Sequence, residues 1–547
     1  MKMEDYIRDQ VRRTLLELGW IEDAGYAVEL VRTKSREHGD IATNVAMKLA
    51  RTLKKNPRRI AEELVAHLQL DPRRISKTEV AGPGFINFFY NPRWIYSQLE
   101  EILAAGEAYG LNDLGRGKRA QVEFVSANPT GPLTIGHGRQ AVLGDTVANI
   151  LEACGYQVER EYYFNNAGRQ MRILGESVRL RYLELLGEQI EFPEEYYQGE
   201  YIKEIAHRLL QQYGDSLRNR ADDPIFKDTA EKLIFEDIKR TLKRLGIVFD
   251  SFYNERSLYD EGKIDEVIRL LREKGLVYEK DGALWFKTTE FGADQDRVIV
   301  KSTGEPTYRL PDIAYHKTKF DRGFDLIVDI FGADHIATYP DVLAGVKALG
   351  YDVSRVRVLI HQFVTLLEGE EKVKMSTRRA NFVTLDELLD RVGEDVTRFF
   401  FLMRSMNAHL NFDLSLATKE SEENPVYYVQ YAHARICNIE KFAANQGVSL
   451  EGKPDLNLLR QEEELALIRK MVDYPNVIRR MHETLEPQNL TQYLLEFAAL
   501  FHKFYFEHRV VTEDPELSRA RFALVKAAKQ VFANGLKILG VSAPEIM

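Results

Sequence analysis

The sequence predicts an α/β protein in which a doubly wound parallel sheet lies between an N-terminal α+β domain and a C-terminal all-helical domain. In the middle of the chain, strand-like runs such as VEREYYF, DLIVDIF and VRVLI alternate with helical stretches, which is typical of a doubly wound sheet. Before this region a helical pattern ends in one strand pair. After about Asn424, amphipathic helices follow one another without a further strand pattern.

The composition is that of a multidomain globular protein. The 547 residues are 44% hydrophobic and 29% charged, and this length suggests about three or four domains. The formal net charge of −9 gives no overall basic field, so any contact with nucleic acid must come from local patches. Cys154 and Cys437 are too few for a disulfide framework or a four-cysteine zinc site, so we expect no structural metal.

The chain shows no readable signal peptide and no run of apolar residues long enough to span a membrane. We therefore expect a cytoplasmic protein without membrane contact.

The domain boundaries follow from changes in pattern. Residues 1–112 are predicted to form the N-terminal domain, where IATNVAMKLARTLKKNPRRIAEELVAHL continues a helical pattern and EVAGPGFINFFY indicates two strands joined by a turn. The charged stretch GLNDLGRGKRA then leads into the strand-like QVEFV, so the central domain is predicted over residues 117–405, with a helical insertion near 172–250. The helical domain takes residues 406–547.

The stretch EFVSANPTGPLTIGHGRQAVLGDTVANIL carries the first candidate site. A strand gives way to a Pro/Gly loop and then to a helix that we expect to begin near Gly138. The N-terminus of such a helix, at the carboxyl edge of a sheet, can bind an anion such as triphosphate. Gly136 leaves room for a nucleotide, and His137 can donate to phosphate without carrying full charge.

Part of the same stretch also fits a second kind of nucleotide-binding pattern. Gly136, Gly138 and Ala141 fit a loose GxGxxA dinucleotide fingerprint, which keeps a nicotinamide enzyme open as an alternative. A true fingerprint should follow the strand directly, and here it lies well beyond the strand end. There is no GxxxxGK[ST] pattern, which excludes a P-loop.

A second motif, EKVKMSTRRANFVTLDELL, clusters basic residues around Met375, Ser376 and Thr377. Taken alone, the cluster would be an exposed surface loop. Combined with the first motif, a basic loop is what a departing pyrophosphate needs for charge stabilisation.

The two motifs resemble the HIGH and KMSKS signatures of class I aminoacyl-tRNA synthetases. They are present here as Thr134-Ile135-Gly136-His137 and Lys374-Met375-Ser376-Thr377-Arg378. The longer ANPTGPLTIGH is similar to the arginyl-tRNA synthetase form, as are TYRLPDIAYHKTK and NPVYYVQYAHARI, so the resemblance covers nearly the whole chain. Two positions depart from the signatures: Thr134 replaces a histidine and Thr377 a lysine, a charge that Arg378 can supply with different geometry.

The resemblance implies a Rossmann-like class I catalytic domain that uses ATP with Mg²⁺ as substrate. The catalytic residues that it implies are Gly136, His137, Lys374, Ser376 and Arg378. The implied ATP contacts are Pro129, Thr134, Gly136, His137, Lys374 and Met375.

The substrate end of the site is also implied by the resemblance, and chemistry supports it, because a guanidinium is best bound by carboxylates in planar geometry. Glu255 and the Tyr308/Asp312 pair match positions that bind the arginine side chain, and Glu123 and Asn128 match those that hold its α-amino end. The alternative for each acid is an ordinary surface or ion-paired carboxylate.

Two further loops match places where the family's site loops lie, Asn165–Gly168 and Gly332–His335. Asp334 and His335 resemble a metal pair without a third ligand at useful spacing, so we expect hydrogen bonds from His335 to substrate instead. For a lone histidine, a purely structural role is an equal alternative.

Transfer RNA is the implied macromolecular partner. In the N-terminal domain we expect phosphate contacts from Arg58 and Arg59, stacking by Phe85 and base reading by Asn87. In the helical domain, the candidates for binding the anticodon are Tyr427, Tyr431, Arg435 and Met547. A solvated basic helix and core-packing tyrosines are the alternatives.

The function implied is that of an arginine–tRNA ligase, which makes arginyl-adenylate from L-arginine and ATP and passes arginine to the terminal 2′-hydroxyl of tRNA(Arg). The family also implies tRNA-dependent activation and a monomer. A synthetase for another amino acid, such as glutamate or cysteine, and a nucleic-acid-binding paralogue without catalysis stay open. Two cysteines argue against the zinc site of a cysteine enzyme.

Overall fold

The computed structural model describes residues 3–33, 36–369, 371–372, 383–446, 449 and 452–547. They form two compact units. One comprises Met1–Glu107, Ile439–Asp473 and Leu500–Gln530; the other comprises Ala108–Asn438, Tyr474–Ala499 and Val531–Met547. Each unit therefore includes parts of the C-terminal helices.

The first unit is built on an antiparallel sheet with strand order β1-β2-β4-β3. Ile7, Val11 and Leu15 of the first helix are fully buried against it, as their helical spacing requires. The turn predicted in EVAGPGFINFFY joins β3 to β4. The N-terminal elements are α1 Met3–Glu17, β1 Val31–Arg32, β2 Ile41–Thr43, α2 Val45–Leu53, α3 Pro57–His67, β3 Ile75–Ala81, β4 Phe85–Tyr90 and α4 Pro92–Ala105.

One local prediction in this region is wrong. The start of IATNVAMKLARTL was predicted to be helical, but Ile41–Thr43 form the strand β2. The three residues are buried and pair with β4, so pairing with a neighbouring strand outweighs the local helical pattern.

The second unit contains a five-stranded parallel sheet of order β12-β11-β5-β6-β7. It uses all the strand-like runs predicted in the middle of the chain. Two three-stranded sheets accompany it, in the orders β10-β9-β8 and β14-β13-β15. The strands are β5 Arg119–Glu123, β6 Gln157–Phe164, β7 Ser251–Asn254, β8 Val277–Lys280, β9 Ala283–Phe286, β10 Arg297–Val300, β11 Leu326–Gly332, β12 Val356–His361, β13 Val364–Glu368, β14 Glu371–Lys372 and β15 Leu410–Asp413.

Helices connect consecutive strands of the parallel sheet, and three of these helices lie between β6 and β7 in the chain. The helices of this region are α5 Ile135–Ala153, α6 Gly168–Leu185, α7 Glu200–Tyr213, α8 Ile225–Arg244, α9 Arg256–Asp260, α10 Lys263–Glu273, α11 Arg309–Asp321, α12 Tyr339–Leu349, α13 Leu385–Val392, α14 Glu394–Leu402 and α15 Leu414–Ala417. The C-terminal helices are α16 Pro425–Asn445, α17 Glu462–Thr484, α18 Gln488–Glu507 and α19 Pro515–Leu539. None of the described helices has the length and apolar character that a membrane span needs.

The order of the parallel sheet reverses between β5 and β11. From β5 the chain proceeds outward through β6 and β7, and it then returns to β11 and β12 on the other side of β5. A crevice forms outside the carboxyl ends of the strands at such a reversal.

Helix α5 leaves β5 at this point, and two of its glycines allow close packing. A Cβ at Gly138 would lie 2.5 Å from Leu385 Cδ1, and one at Gly144 would lie 2.1 Å from Phe124 Cγ. Helix packing thus explains why residue 138 is a glycine. In the GxGxxA alternative, this glycine would instead contact a phosphate group.

We predict that Gly144→Ala destabilises the second unit by about 1–3 kcal/mol, because the methyl group would overlap the ring of the buried Phe124. Urea unfolding of wild type and variant, followed by near-UV circular dichroism, measures the difference. Gly136→Ala is the matched control for stability, since the nearest atom to its Cβ would be Thr134 Oγ1 at 3.7 Å. Equal stability of the Gly144→Ala variant and wild type would contradict the packing argument.

Candidate active site

A cleft of about 1020 Å³ lies at the reversal of the sheet, beyond the carboxyl ends of β5, β6, β11 and β12. Nine of the residues predicted from the sequence line it, although they come from distant parts of the chain. They are Glu123, Asn128, Thr134, Gly136, His137, Glu255, Tyr308, Asp312 and His335.

Other predicted residues are not placed in this cleft. Pro129 is buried and does not line it, so its predicted contact with ATP is not supported. The basic loop lies outside the described residues, which leaves the following predictions without a position: Lys374, Met375, Ser376 and Arg378.

The first turn of α5 is fixed by a reciprocal cap. Thr134 Oγ1 accepts a hydrogen bond from His137 N at 3.4 Å, and His137 Nδ1 accepts one from Thr134 N at 3.2 Å. This is a capping box in which histidine stands in the place of the usual Glu or Gln. The helix therefore begins at Ile135, and the predicted start near Gly138 is wrong. Thr134 is the N-cap, a position that suits threonine well.

The cap also fixes the proton on His137. Because Nδ1 accepts a hydrogen bond, the neutral ring carries its proton on Nε2. Burial lowers the pKa of His137 to about 4, with Asp334 opposing the shift. Burial likewise lowers the pKa of His361, on the same cleft, to about 4. Both rings are neutral at pH 7, so His137 offers an uncharged N–H donor beside the positive end of a helix dipole.

One end of the cleft holds a carboxylate bound only by neutral donors. Glu255 accepts hydrogen bonds from Tyr163 Oη and from Asn165 Nδ2, both at 2.8 Å. Burial raises the pKa of Glu255, and the two hydrogen bonds offset part of that shift. No lysine or arginine forms an ion pair with Glu255 among the described residues.

Asp312 shares this end of the cleft. Its pKa is raised to about 7, first by burial and then by the charges of Glu123 and Glu255, while His316 and Lys319 oppose the shift. Two acids therefore share a largely buried end of the cleft with no cation between them. This end of the cleft is suited to bind a cationic ligand.

Glu123 shows the opposite arrangement. It is 3% exposed, and its Oε2 lies 2.6 Å from Lys319 Nζ, while Oε1 accepts a hydrogen bond from Ser126 Oγ at 2.9 Å. Asn128 stands at the same strand end, and its Oδ1 accepts a hydrogen bond from Asn165 N at 2.9 Å. The two residues predicted to hold an α-amino group are therefore fixed in place before any ligand binds.

Several residues at this site are not predicted from the sequence, namely Tyr163, His316, Lys319, Asp329 and His361. The sequence nevertheless carries a signal for His316, Lys319 and Asp329. Asp312, His316 and Lys319 recur at the spacing of one helix face. An aspartate also interrupts the apolar strand DLIVDIF, where a buried charge requires a partner.

The predicted Asp334/His335 pair does not form a metal site in the described part of the chain. The carboxylate and the imidazole Nε2 are 3.6 Å apart, and the ring of His335 stacks on Phe331 at 5.1 Å. No group of three His, Cys, Asp or Glu side chains suited to a metal occurs among the described residues. His335 faces the cleft as a polar lining residue.

Comparison with known proteins gives the site its context. Three family models match: arginyl tRNA synthetase N terminal domain over residues 5–90, tRNA synthetases class I (R), catalytic domain, over 98–410, and DALR anticodon binding domain over 429–547. Arginine–tRNA ligase of Desulfotalea psychrophila is 55% identical over 95% of each chain, and that of Salinibacter ruber is 52% identical over 100% of each chain.

The chain belongs to the arginyl-tRNA synthetase family.

The solved structure of Thermus thermophilus arginyl-tRNA synthetase shares the fold, with a TM-score of 0.77 and 23% identity over 99% of this chain and 100% of that one. Family membership excludes the nicotinamide enzyme and the synthetases for other amino acids that the sequence left open. In this synthetase residues 124–134 separate β5 from α5, a longer connection than a dinucleotide fingerprint allows.

The N-terminal RNA candidates of the synthetase lie around the β3–β4 turn. Arg58 Nη1 donates to Gly82 O at 3.2 Å, and the backbone of Gly84 approaches Pro57 so closely that a Cβ would lie 2.8 Å from its carbonyl oxygen. Arg59 is exposed and Phe85 half-buried. Asn87 is only 3% exposed, so the structure does not present it on the surface, and its predicted base reading is not supported.

The candidates in the C-terminal part form a continuous stack on one face of α16. The rings of Tyr427 and Tyr431 stack at 5.7 Å, and the Arg435 guanidinium lies 4.4 Å from the centre of the Tyr431 ring. All three are half-buried rather than enclosed in a core. The chain end is attached to the same helix, because His433 Nδ1 lies 2.8 Å from Pro544 O. The terminal Met547 is 42% exposed.

We predict that Asp312→Asn weakens arginine binding but stabilises the synthetase at alkaline pH. A carboxyl whose pKa rises on folding contributes stability that is full below its unfolded pKa near 4 and is lost as the pH rises through about 7. Above that pH the amide should therefore gain about 2–4 kcal/mol over the ionised acid. Thermal unfolding at acidic and alkaline pH tests this, with the exposed Asp260→Asn as control. A gain that does not depend on pH would contradict it.

Proposed function

We propose that this synthetase activates L-arginine with ATP in the cleft and then transfers the arginyl group to the terminal 2′-hydroxyl of tRNA(Arg). The observation that carries this proposal is the pair of acids, Glu255 and Asp312, that face one cleft with the first turn of α5. The acids suit a guanidinium, and the helix turn suits a phosphate. Both substrates would thus meet at the point where the strand order of the parallel sheet reverses.

Recognition of the side chain rests on charge and on hydrogen-bond geometry. A guanidinium is always protonated and presents planar N–H groups, which two carboxylates can accept. Binding would return the raised pKa values of Glu255 and Asp312 towards normal, because the ligand supplies the missing positive charge. Tyr308 and His335 line the same cleft and complete the proposed arginine site, with Glu123 and Asn128 at the α-amino end.

ATP would bind with its phosphates at the N-terminus of α5. Gly136 has no side chain, and His137 carries a proton on Nε2 that can be donated to a phosphate oxygen. Mg²⁺ would enter with ATP as part of that substrate, and we propose no resident metal. The loop Lys374–Arg378 is proposed, from its sequence alone, to stabilise the departing pyrophosphate.

The chemistry needs no covalent enzyme intermediate. An arginine carboxylate oxygen attacks the α-phosphorus, the bond to the bridging oxygen breaks, and pyrophosphate leaves. The ribose hydroxyl then attacks the carbonyl carbon of the adenylate, and AMP leaves. The residues of the cleft act by positioning and by charge stabilisation.

The tRNA would be held at two places outside the cleft. The stack of Tyr427, Tyr431 and Arg435 offers aromatic and guanidinium faces to unpaired bases, and the adjoining chain end brings Met547 to the same helix. Around the β3–β4 turn, Phe85 can stack on a base while Arg58 and Arg59 contact phosphates.

The proposed division of labour follows the predicted domains. Residues 1–112 would contact the D-loop, 117–405 would carry out catalysis and 406–547 would bind the anticodon. We also propose that activation depends on bound tRNA, that the synthetase acts as a monomer, and that it works in the cytoplasm, where its product is used.

We predict that Glu255→Gln lowers kcat/KM for arginine by at least about 100-fold, since the amide keeps the shape but removes one of two charges facing the guanidinium. ATP–pyrophosphate exchange measures this, with and without tRNA(Arg) and with lysine, glutamate and citrulline as controls. ATP binding should be unchanged. Exchange in wild type is expected only with arginine and tRNA together.

Two outcomes of the same assay would contradict parts of the proposal. Tight binding of tRNA(Arg) without any exchange in wild type would identify a paralogue without catalysis and would overturn the proposed activity. Exchange with arginine alone would keep the activity and overturn only the tRNA dependence.

We predict that Tyr431→Ala raises KM for tRNA(Arg) about 10–100-fold, because one stacking surface is lost. Arginine binding should not change, since the tyrosine does not line the cleft. Aminoacylation kinetics measure the effect, and the exposed Asn438→Ala on the same helix is the control. An unchanged KM for tRNA would place RNA contacts elsewhere.

A further inference from the structure

Lys319 is a cation enclosed within the second unit. It is 0% exposed, and its Nζ lies 2.6 Å from Glu123 Oε2 and 2.6 Å from Asp329 Oδ1. The same ammonium lies 4.4 Å from the centre of the Tyr315 ring. Burying an ammonium is costly, and a well-packed apolar side chain often serves the fold as well or better. The presence of a buried lysine at this position is therefore better explained by its charge than by its packing.

The contacts of this ion pair continue along α11 as far as the main-chain carbonyl group of Asp312. Asp329 Oδ2 lies 2.9 Å from His316 Nε2, and His316 Nδ1 lies 2.8 Å from Asp312 O. Both ring nitrogens face acceptors, so both carry protons. Burial and the positive charge of Lys319 both lower the pKa of His316. The contact with Asp329 outweighs both effects and leaves that pKa above its usual value.

The charges in this chain of contacts balance. Lys319 and His316 supply two positive charges, and Glu123 and Asp329 supply two negative ones. Ser126 Oγ donates to the other oxygen of Glu123 at 2.9 Å. The Glu123 carboxylate is therefore held at both oxygens, with the Lys319 ammonium in direct contact with one of them.

One further acid, Glu161 on β6, faces the same helix and does not need Lys319. It accepts hydrogen bonds from Tyr315 Oη at 2.6 Å and from Gln121 Nε2 at 2.6 Å, and Arg322 forms its ion pair. The charge of Lys319 is thus committed to Glu123 and Asp329.

We propose that Lys319 is a positioning residue for arginine activation, which orients Glu123 and supplies its counter-ion so that this carboxylate can receive the substrate α-amino group. This inference rests on the proposed function, in which Glu123 binds that group. Without the lysine, a carboxyl that is 3% exposed loses its counter-ion and takes up a proton. The neutral acid no longer attracts an ammonium group.

The test compares Lys319→Met with Lys317→Met. Lys317 lies on the same helix, is 7% exposed and pairs with Asp321 and Glu266 away from the cleft, so it controls for losing a buried lysine. Equilibrium dialysis with tRNA(Arg) present measures binding of arginine, of the analogue that lacks the α-amino group, and of ATP, between about pH 6 and pH 9.

We expect Lys319→Met to weaken arginine binding at neutral pH by at least about 30-fold, while binding of the analogue and of ATP stays at the wild-type level. Arginine affinity should recover towards pH 9, where Glu123 ionises without its partner. Lys317→Met should bind all three ligands as wild type does. If Lys319→Met does not fold, Lys319→Gln, whose amide can still donate to Glu123, carries the same expectations.

Equal losses for arginine and for the analogue, or a loss that does not recover with pH, would mean that Lys319 supports only the fold, and so would unchanged arginine binding. Failure of the proposed function is distinguishable, because wild type itself would then bind neither arginine nor the analogue.

Discussion

Three of the carboxylates that line the cleft, those of Glu123, Glu255 and Asp312, are largely withdrawn from water, and each has to be paired, hydrogen-bonded or protonated. Glu123 is paired with Lys319, and Glu255 is hydrogen-bonded by neutral donors. Asp312 has neither kind of partner for its carboxyl among the described residues, and its pKa rises to about 7. The compensation is thus complete at the proposed α-amino end and incomplete at the proposed guanidinium end, and the guanidinium group of arginine would supply the missing charge.

The fold could be predicted well from the sequence, because its signals are periodic. Strand-like runs between helices gave the parallel sheet, and Gly82 and Gly84 gave the turn between β3 and β4. The start of α5 was predicted three residues too late because the Pro/Gly loop before it was taken to continue to about His137, whereas the side chain of Thr134 caps the helix. Capping depends on the residue three positions later, and a histidine there is an unusual partner.

The site could be predicted only in part. Acids in recognisable motifs were found, but Lys319 and His316 were not, since a lysine in a helix is normally exposed and only the fold brings Asp329 to face it. The prediction for Asn87 was not supported for the opposite reason. Asn87 follows a turn in the sequence and was expected to be accessible, but strand β4 is an inner strand of its sheet and Asn87 is buried there. Burial depends on neighbours that are distant in the sequence.

The incomplete compensation would also explain how the proposed arginine site discriminates against similar amino acids. A neutral isostere such as citrulline would leave Glu255 and Asp312 facing each other with no cation between them, which is far more costly than a lost contact. Lysine also carries a positive charge, but its ammonium group is compact. It cannot donate planar pairs of hydrogen bonds to both carboxylates, as a guanidinium group can. Under the proposed function, selectivity would therefore arise from acids that are poorly stabilised until arginine binds.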